Sequence, residues 1–203
     1  MILLSVAQTA YIASASIGIL FIAALVAFLF YKNRYAQKHI RELTYLKLYR
    51  LSQSNDYLLL NNYKVNIDDK HIGVIDHILI CKKYIVLVND FAISGVLSGD
   101  FVSEQLKNTK KEGTEIVVNP LNYNINLAKR LSLFTGLEQS FIKGLVVVNN
   151  DSFINVTNMN RQFKIIKRRE LARTIKEFDE DNVKNLKEES VVKFIKHLDE
   201  HNK

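Results

Sequence analysis

No charged side chain precedes Lys32 in this chain of 203 residues, and the heart of that stretch, residues 17–30, reads IGILFIAALVAFLF. With the milder residues from Ala10 onward it supplies about 20 residues, the length a helix needs to cross a hydrocarbon core about 30 Å thick. A buried globular helix of that length normally keeps a polar face, and none is visible here. A cleaved signal peptide would need a basic region ahead of the apolar run and a small-residue cleavage site behind it. Neither is seen: no Lys or Arg precedes the run, and Phe30 is followed by Tyr31, Lys32, Asn33 and Arg34. The expectation is a retained N-terminal transmembrane helix.

Flanking charge orients it. Lys32, Arg34, Lys38, Arg41, Lys47 and Arg50 are opposed only by Glu42, an excess of +5 directly after the span. Basic flanks stay on the cytoplasmic side, so the N-terminus is expected outside and the C-terminal domain in the cytoplasm. The single Cys81 excludes an internal disulfide framework and suits a reducing compartment. The net charge of +7 divides accordingly. Residues 51–160 carry ten Lys and Arg against eleven Asp and Glu, and residues 161–203 carry twelve against nine. The largest excess lies beside the span, where anionic lipid headgroups attract each basic residue with ~1 kcal/mol, so nucleic acid is not needed to explain it. Lys32, Arg34, Lys38 and Arg41 are the expected lipid contacts.

Beyond the anchor, an ordinary balance of 48% apolar and 24% charged residues over the whole chain points to a packed domain rather than disorder. Residues 35–51 carry a helical pattern, with Ile40, Leu43, Leu46 and Tyr49 or Arg50 at three- and four-residue steps, continuing the anchor. The polar break SQSND follows. Short β-branched runs at 63–67, 73–81 and 84–88 read as strands, the last two joined through Lys82-Lys83 as a hairpin. Gly95 and Gly99 frame a short strand or loop at 96–97, and residues 103–115 read as an exposed polar excursion. Residues 115–118 form a brief strand ended by Asn119-Pro120, with a helix over 124–133. GLVVV at 144–148 is the signature of a strand buried on both faces. The tail is helical, with stripes Leu171, Ile175, Phe178 and Val191, Phe194, Ile195, Leu198. The fold class is therefore α/β (α+β), a mixed sheet with helices on its faces behind a single transmembrane helix. The expected divisions are 1–35 for the anchor and its basic flank, 36–170 for the α/β domain and 171–203 for C-terminal helices packing on it or extending from it.

Several motifs fall in a telling order. Asp76-His77 opens the strand run Ile78-Leu79-Ile80, and the apolar run Tyr84-Ile85-Val86-Leu87-Val88 leads into Asn89-Asp90-Phe91. Ser94-Gly95-Val96-Leu97-Ser98-Gly99 makes a glycine-spaced turn, and Asn119-Pro120-Leu121 enters a helix. This order resembles the nuclease-related domain (NERD) family, whose fold is that of the PD-(D/E)xK nucleases, over roughly residues 45–150. The resemblance implies a site in which two carboxylates hold a divalent metal through hard oxygen ligands and a lysine assists the attack of water. Of that set Asp76 stands at the first metal-ligand position. The E-x-K positions hold Asn89 and Phe91, which supply one neutral carbonyl oxygen and no charge. Val74, Tyr123 and Leu127 occupy the places of the family's two glutamines and its histidine. Glu42 matches the acid of its first helix, with Arg41 where a glycine is usual. Asp90 would point to the opposite strand face unless a bulge turned it, and Lys82 or Lys83 would be the substitute lysine.

The expectation is a NERD-like domain that is catalytically inactive and acts by binding, as a scaffold beside a protein partner at the membrane. It needs no cofactor. The alternative is a membrane-tethered metal-dependent nuclease, using Mg²⁺ at Asp76, or a DNA-binding module that no longer cleaves. A basic run of Arg161, Lys164, Lys167, Arg168, Arg169 and Arg173 is the candidate contact for nucleic acid or lipid. Of the histidine pairs, His71 with His77 share a strand face, and His197 with His201 stand one helical turn apart. Neither pair is expected to bind metal.

Overall fold

The computed structural model describes residues 2–68, 71–180 and 184–201. The chain divides into two compact units, Met1–Lys38 and His39–Lys203. The first is a single helix, α1 (Ile2–Lys38). Its window Ser16–Ala36 is long and apolar enough to cross a membrane, and none of the described side chains in that window is buried.

The second unit begins with α2 (Ile40–Asn55), so the helix expected over 35–51 is divided, residues up to Lys38 belonging to α1. The buried face of α2 also differs from expectation. Ile40, Thr44, Leu48 and Ser52 are buried, whereas Leu46 and Tyr49 are each 47% exposed. These four residues form one i, i+4 ridge. The two polar members fit inside because both are bonded: Thr44 Oγ1 donates to Asp90, and Ser52 Oγ to the Tyr49 carbonyl. A hydropathy pattern read for apolar residues alone misses such a ridge.

Two sheets follow. The first contains β1 (Leu58–Asp68), β2 (His71–Ile80), β3 (Ile85–Phe91), β7 (Ile142–Val148) and β9 (Phe163–Lys167), in that order. β2 runs antiparallel to both β1 and β3, and β3, β7 and β9 run parallel. The second sheet has the order β6 (Gly113–Val118), β5 (Gln105–Lys110), β4 (Val96–Asp100) and β8 (Phe153–Thr157). The expected β2–β3 hairpin forms across Cys81–Tyr84, closed by Cys81 N–H donating to the Tyr84 carbonyl at 2.9 Å. Cys81 is buried, and burial pushes its thiol pKa up.

Residues 103–115 are not a loose excursion: most of them build β5 and the start of β6. Leu106 and Asn108 face inward with the two-residue period of a strand, and Asn108 is fully buried by donating to Glu115 Oε1 at 2.7 Å. A polar residue at an inward position hid the alternation. The strands β8 and β9 were also unexpected, because FINVT and FKIIK are only five residues each.

The central strand β7 is buried along its whole length. On one side of the first sheet α2 and α4 (Leu171–Glu180) pack Leu48, Leu79, Val86, Val88, Leu145, Val147, Leu171, Ile175 and Phe178 together. On the other, α3 (Pro120–Thr135) and α5 (Glu188–His201) pack on Ile78, Ile85, Leu87 and Val146, with Phe194 and Leu198 among the buried residues. Both C-terminal stripes thus serve the core. The entry of α3 is built as Asn119-Pro120 suggests: Asn119 Oδ1 accepts from Leu121 N–H at 3.0 Å with Pro120 in the first turn, and Gly136 ends the helix in the left-handed region.

Gly144 sits opposite Phe163 in the parallel pairing of β7 and β9, and a Cβ there would lie 2.4 Å from the Phe163 ring. Gly144→Ala in the full-length chain is expected to cost about 1–3 kcal/mol, measured by denaturant unfolding in detergent. Two tyrosines tie the C-terminal helices to the sheet edge. Tyr57 donates to Asp179 of α4, and Tyr63 to Asp199 Oδ1 of α5 at 2.6 Å. The bond to Asp199 holds the Tyr63 hydroxyl protonated, its pKa pushed up to about 12, and burial together with Asp179 raises that of Tyr57. Both folded-state values lie above the unfolded 10.0, so this stabilisation is complete below pH 10 and declines as pH rises through 10 to 12. An alkaline melting series is expected to fall over that window, and less steeply in Tyr63→Phe.

Candidate functional site

β2 and β3 pair only from Ile80↔Ile85 to His77↔Val88. Beyond that rung they part: β2 continues against β1, while β3 stays on β7 as far as Phe91↔Val148. Backbone groups facing the fork lose their strand partners and must be satisfied otherwise. Asp76 Oδ2 accepts from the Asp90 N–H at 2.8 Å, and Asn89 Nδ2 donates to the Val74 carbonyl at 3.0 Å. The Tyr123 hydroxyl, reaching from α3, donates to the same carbonyl at 2.9 Å and accepts the Val74 N–H. Burial raises the Tyr123 pKa, with the nearby Asp76 charge adding to the effect.

The other oxygen of Asp76 meets Arg41. Its Oδ1 lies 2.6 Å from the guanidinium, and the Asp76 side chain is 15% exposed. Arg41 also donates to Asn62 Oδ1. Thus the one carboxylate at the resemblance's first metal position is paired with a cation supplied by α2.

Asp90 faces the other side of the sheet. The β3–β7 register runs unbroken from Ile85 to Phe91, so no bulge turns it inward. Its side chain is 4% exposed; Thr44 Oγ1 donates to Oδ1 at 2.6 Å, and His77 Nε2 lies 3.1 Å from Oδ2. His77 Nδ1 in turn meets Asn61 Oδ1 at 2.7 Å, and the Tyr45 ring lies against the imidazole with centroids 6.4 Å apart. Arg168, just beyond β9, lies close enough to feel Asp90 and Asp151, although burial still lowers its pKa. Lys47 Nζ donates to the carbonyls of Arg168 and Arg169 at 2.8 Å each, and burial lowers its pKa as well, with the Arg168 charge reinforcing this.

The remaining expected site residues are scattered. Phe91 packs half-buried against the core, and Leu127 is buried on α3. Glu42 is exposed and pairs with His39 at 2.9 Å. Lys82 and Lys83 lie at the far end of the β2–β3 hairpin, six and seven residues from Asp76, about 20 Å along a strand. Lys83 there donates to the Asp179 carbonyl at 2.6 Å, so neither lysine replaces the missing one. Lys32, Arg34 and Lys38 are exposed on α1. The basic run is partly neutralised. Lys164 and Arg173 lie 3.6 and 2.9 Å from Glu177, Arg169 lies 3.8 Å from Glu170, and Lys167 stands over the Phe153 ring at 4.9 Å. Among the described residues no group of three or more His, Cys, Asp or Glu is placed to hold a metal ion. The side chains of His71 and His201 lie outside the described residues, and the His197 ring stacks on Phe134.

Sequence reasoning did not anticipate Arg41 as the partner of Asp76, nor Thr44, Tyr45, Asn61 and Asn62 around His77. The arginine in place of the usual glycine beside Glu42 was the available signal. The two carboxylates are expected to respond differently to removal. Asp90→Ala strands Thr44 and His77 in a buried setting and is expected to lower stability by about 1–3 kcal/mol. Asp76→Ala leaves Arg41 half-exposed, where water replaces the lost pair, and strands only the Asp90 N–H, so it is expected to cost about 1 kcal/mol, the low end of that range; both are measured by urea unfolding.

No curated protein and no solved structure matches the chain. The family model for the nuclease-related domain matches residues 36–149, a segment that holds α2, the fork with Asp76 and Asn89, and the helix carrying Tyr123. With more than half of its length matched, this chain belongs to the nuclease-related domain (NERD) family.

Proposed function

We propose that this protein is a single-pass membrane protein whose NERD domain, on the cytoplasmic side, works by binding rather than by cutting. The observation that carries the reading is the Arg41–Asp76 ion pair inside the strand fork. A divalent cation needs oxygen ligands with net negative charge. Here the carboxylate is already compensated, Asn89 is drawn to the Val74 carbonyl, and Phe91 offers no charge. A hydrolytic mechanism would lack its metal, its second acid and its lysine. The chain is instead a scaffold for a protein partner at the membrane, and it requires no cofactor.

Membrane attachment rests on α1. Tyr11 and Tyr31 are both exposed and stand 20 residues apart, about 30 Å along a helix, the spacing of the two aromatic belts of a bilayer. Lys32, Arg34 and Lys38 follow immediately and meet the anionic headgroups of the cytoplasmic leaflet. Arg41 and Lys47, bonded within the second unit, take less part in that attraction.

Two measurements test this. The purified full-length chain, incubated with plasmid DNA and Mg²⁺ or Mn²⁺, is expected to give no more cleavage than Asp76→Ala. Metal-dependent cleavage abolished by that substitution would overturn the binding reading. In flotation with phosphatidylserine-containing vesicles, the chain with residues 1–35 removed is expected to stay behind, whereas the full chain floats. Equal flotation of both would place the attachment elsewhere.

A further inference from the structure

An open groove of about 340 Å³ lies beside the fork, lined by Arg41, Glu42, Tyr45, Asn61, Asn62 and His77. Its volume falls in the range of small-ligand sites. One wall is aromatic: Tyr45 keeps 37% of its surface exposed, lies over the buried His77 ring, and is followed one helical turn later by Tyr49 with ring centroids 6.0 Å apart. The rest of the lining includes planar hydrogen-bonding groups. Asn61 Oδ1 is taken by His77 and Asn62 Oδ1 by Arg41, which leaves both amide NH₂ groups for other partners. Asn62 holds its place in the left-handed backbone region, φ +58°, a conformation asparagine tolerates better than most residues. Glu42 meets His39 through Oε2, so Oε1 remains an acceptor.

A ring face with donors and an acceptor along its edge is the chemistry that recognises a nucleobase: the base stacks on an aromatic side chain while amides and guanidinium read its edge. Of the two charged side chains in the lining, Arg41 is drawn onto Asp76 and Glu42 onto His39, so the groove carries no net positive charge. A groove without net positive charge has no pull on a polyphosphate chain. The ligand it suits is therefore a free nucleoside or nucleotide and not a strand.

We propose that this groove binds a free nucleoside or nucleotide through its base, stacked on Tyr45 and bonded by Asn61, Asn62 and Arg41. The proposal rests on the non-cutting reading, because Arg41 forms its wall while drawn onto Asp76. The cleavage assay above tests that reading separately, so a failure of the reading and a failure of nucleoside binding are told apart. The test is isothermal titration of the full-length chain in nanodiscs with adenosine, guanosine, cytidine and uridine and their 5′-monophosphates. The expected result is saturable binding of at least one base at one site per chain. Tyr45→Ala is expected to weaken it about tenfold or more, and Tyr45→Phe, which keeps the ring, to hold within about threefold. Tyr45 lies outside the core, and unchanged circular dichroism of each variant confirms the fold. No saturable binding by any base would overturn the proposal, as would binding indifferent to Tyr45→Ala. Tighter binding of a single-stranded tetranucleotide than of any mononucleotide would overturn the choice of a free ligand.

Discussion

A carboxylate with only 4% of its side chain exposed joins the elements around the strand fork. Asp90 lies at the end of β3 where that strand leaves β2, and a buried charge is tolerated only when hydrogen-bonded and compensated. Thr44 supplies a bond from α2, His77 one from β2, and Arg168 a nearby positive charge from beyond β9. α2, β2 and β3 are thereby tied together, with the buried ridge of α2 pressed onto the sheet beside them. The polar cluster sets the position that the hydrophobic contacts alone would leave free to slide.

The fork follows from the same geometry. β3 stays with β7 while β2 stays with β1, so the backbone between them needs side-chain partners, and Asp76, Asn89 and Tyr123 provide them. In a metal-dependent hydrolase such a fork would be an open, negatively charged slot. Here Arg41 pairs with Asp76, and Asn89 Nδ2 and the Tyr123 hydroxyl bond the Val74 backbone, while Asn89 Oδ1 stays buried without a partner. The scaffold rests on β7, Gly144 and the two apolar layers rather than on charge in the slot. Loss of charge in the slot and gain of a neutral, aromatic groove next to it are two consequences of one residue, Arg41, which faces both.

Much of this was legible in the sequence where a single residue type or a local pattern decided the outcome. The β2–β3 hairpin, the double-sided burial of β7, the capped entry of α3 and the apolar stripes of α4 and α5 all follow from runs of neighbours. The ridge of α2 and the β5–β6 hairpin were not, and for one reason: Thr44, Ser52 and Asn108 are polar residues at inward positions. A polar side chain goes inside when a bond awaits it there: from a residue distant in sequence, as Asp90 for Thr44, across a turn, as Glu115 for Asn108, or within its own helix, as the Tyr49 carbonyl for Ser52. Hydropathy records the cost of burial and not the partner that removes it.

By itself the sequence determined the family and the apolar helix at the N-terminus with its basic flank, because each is a statement about which residues are present in what order. Tertiary structure decided what the surviving residues do. Asp76 could have been a free metal ligand, a solvent-facing acid or one half of an ion pair, and only the placement of α2 against the fork puts Arg41 upon it. Likewise Asp90 became an anchor, Lys83 was held at the far end of the hairpin, and Tyr45, Asn61 and Asn62 came to share one groove. Pairings of this kind join residues 16 to 46 positions apart or more. Electrostatics and hydrogen bonding act through space over a few ångströms, so the chain must fold before they exist.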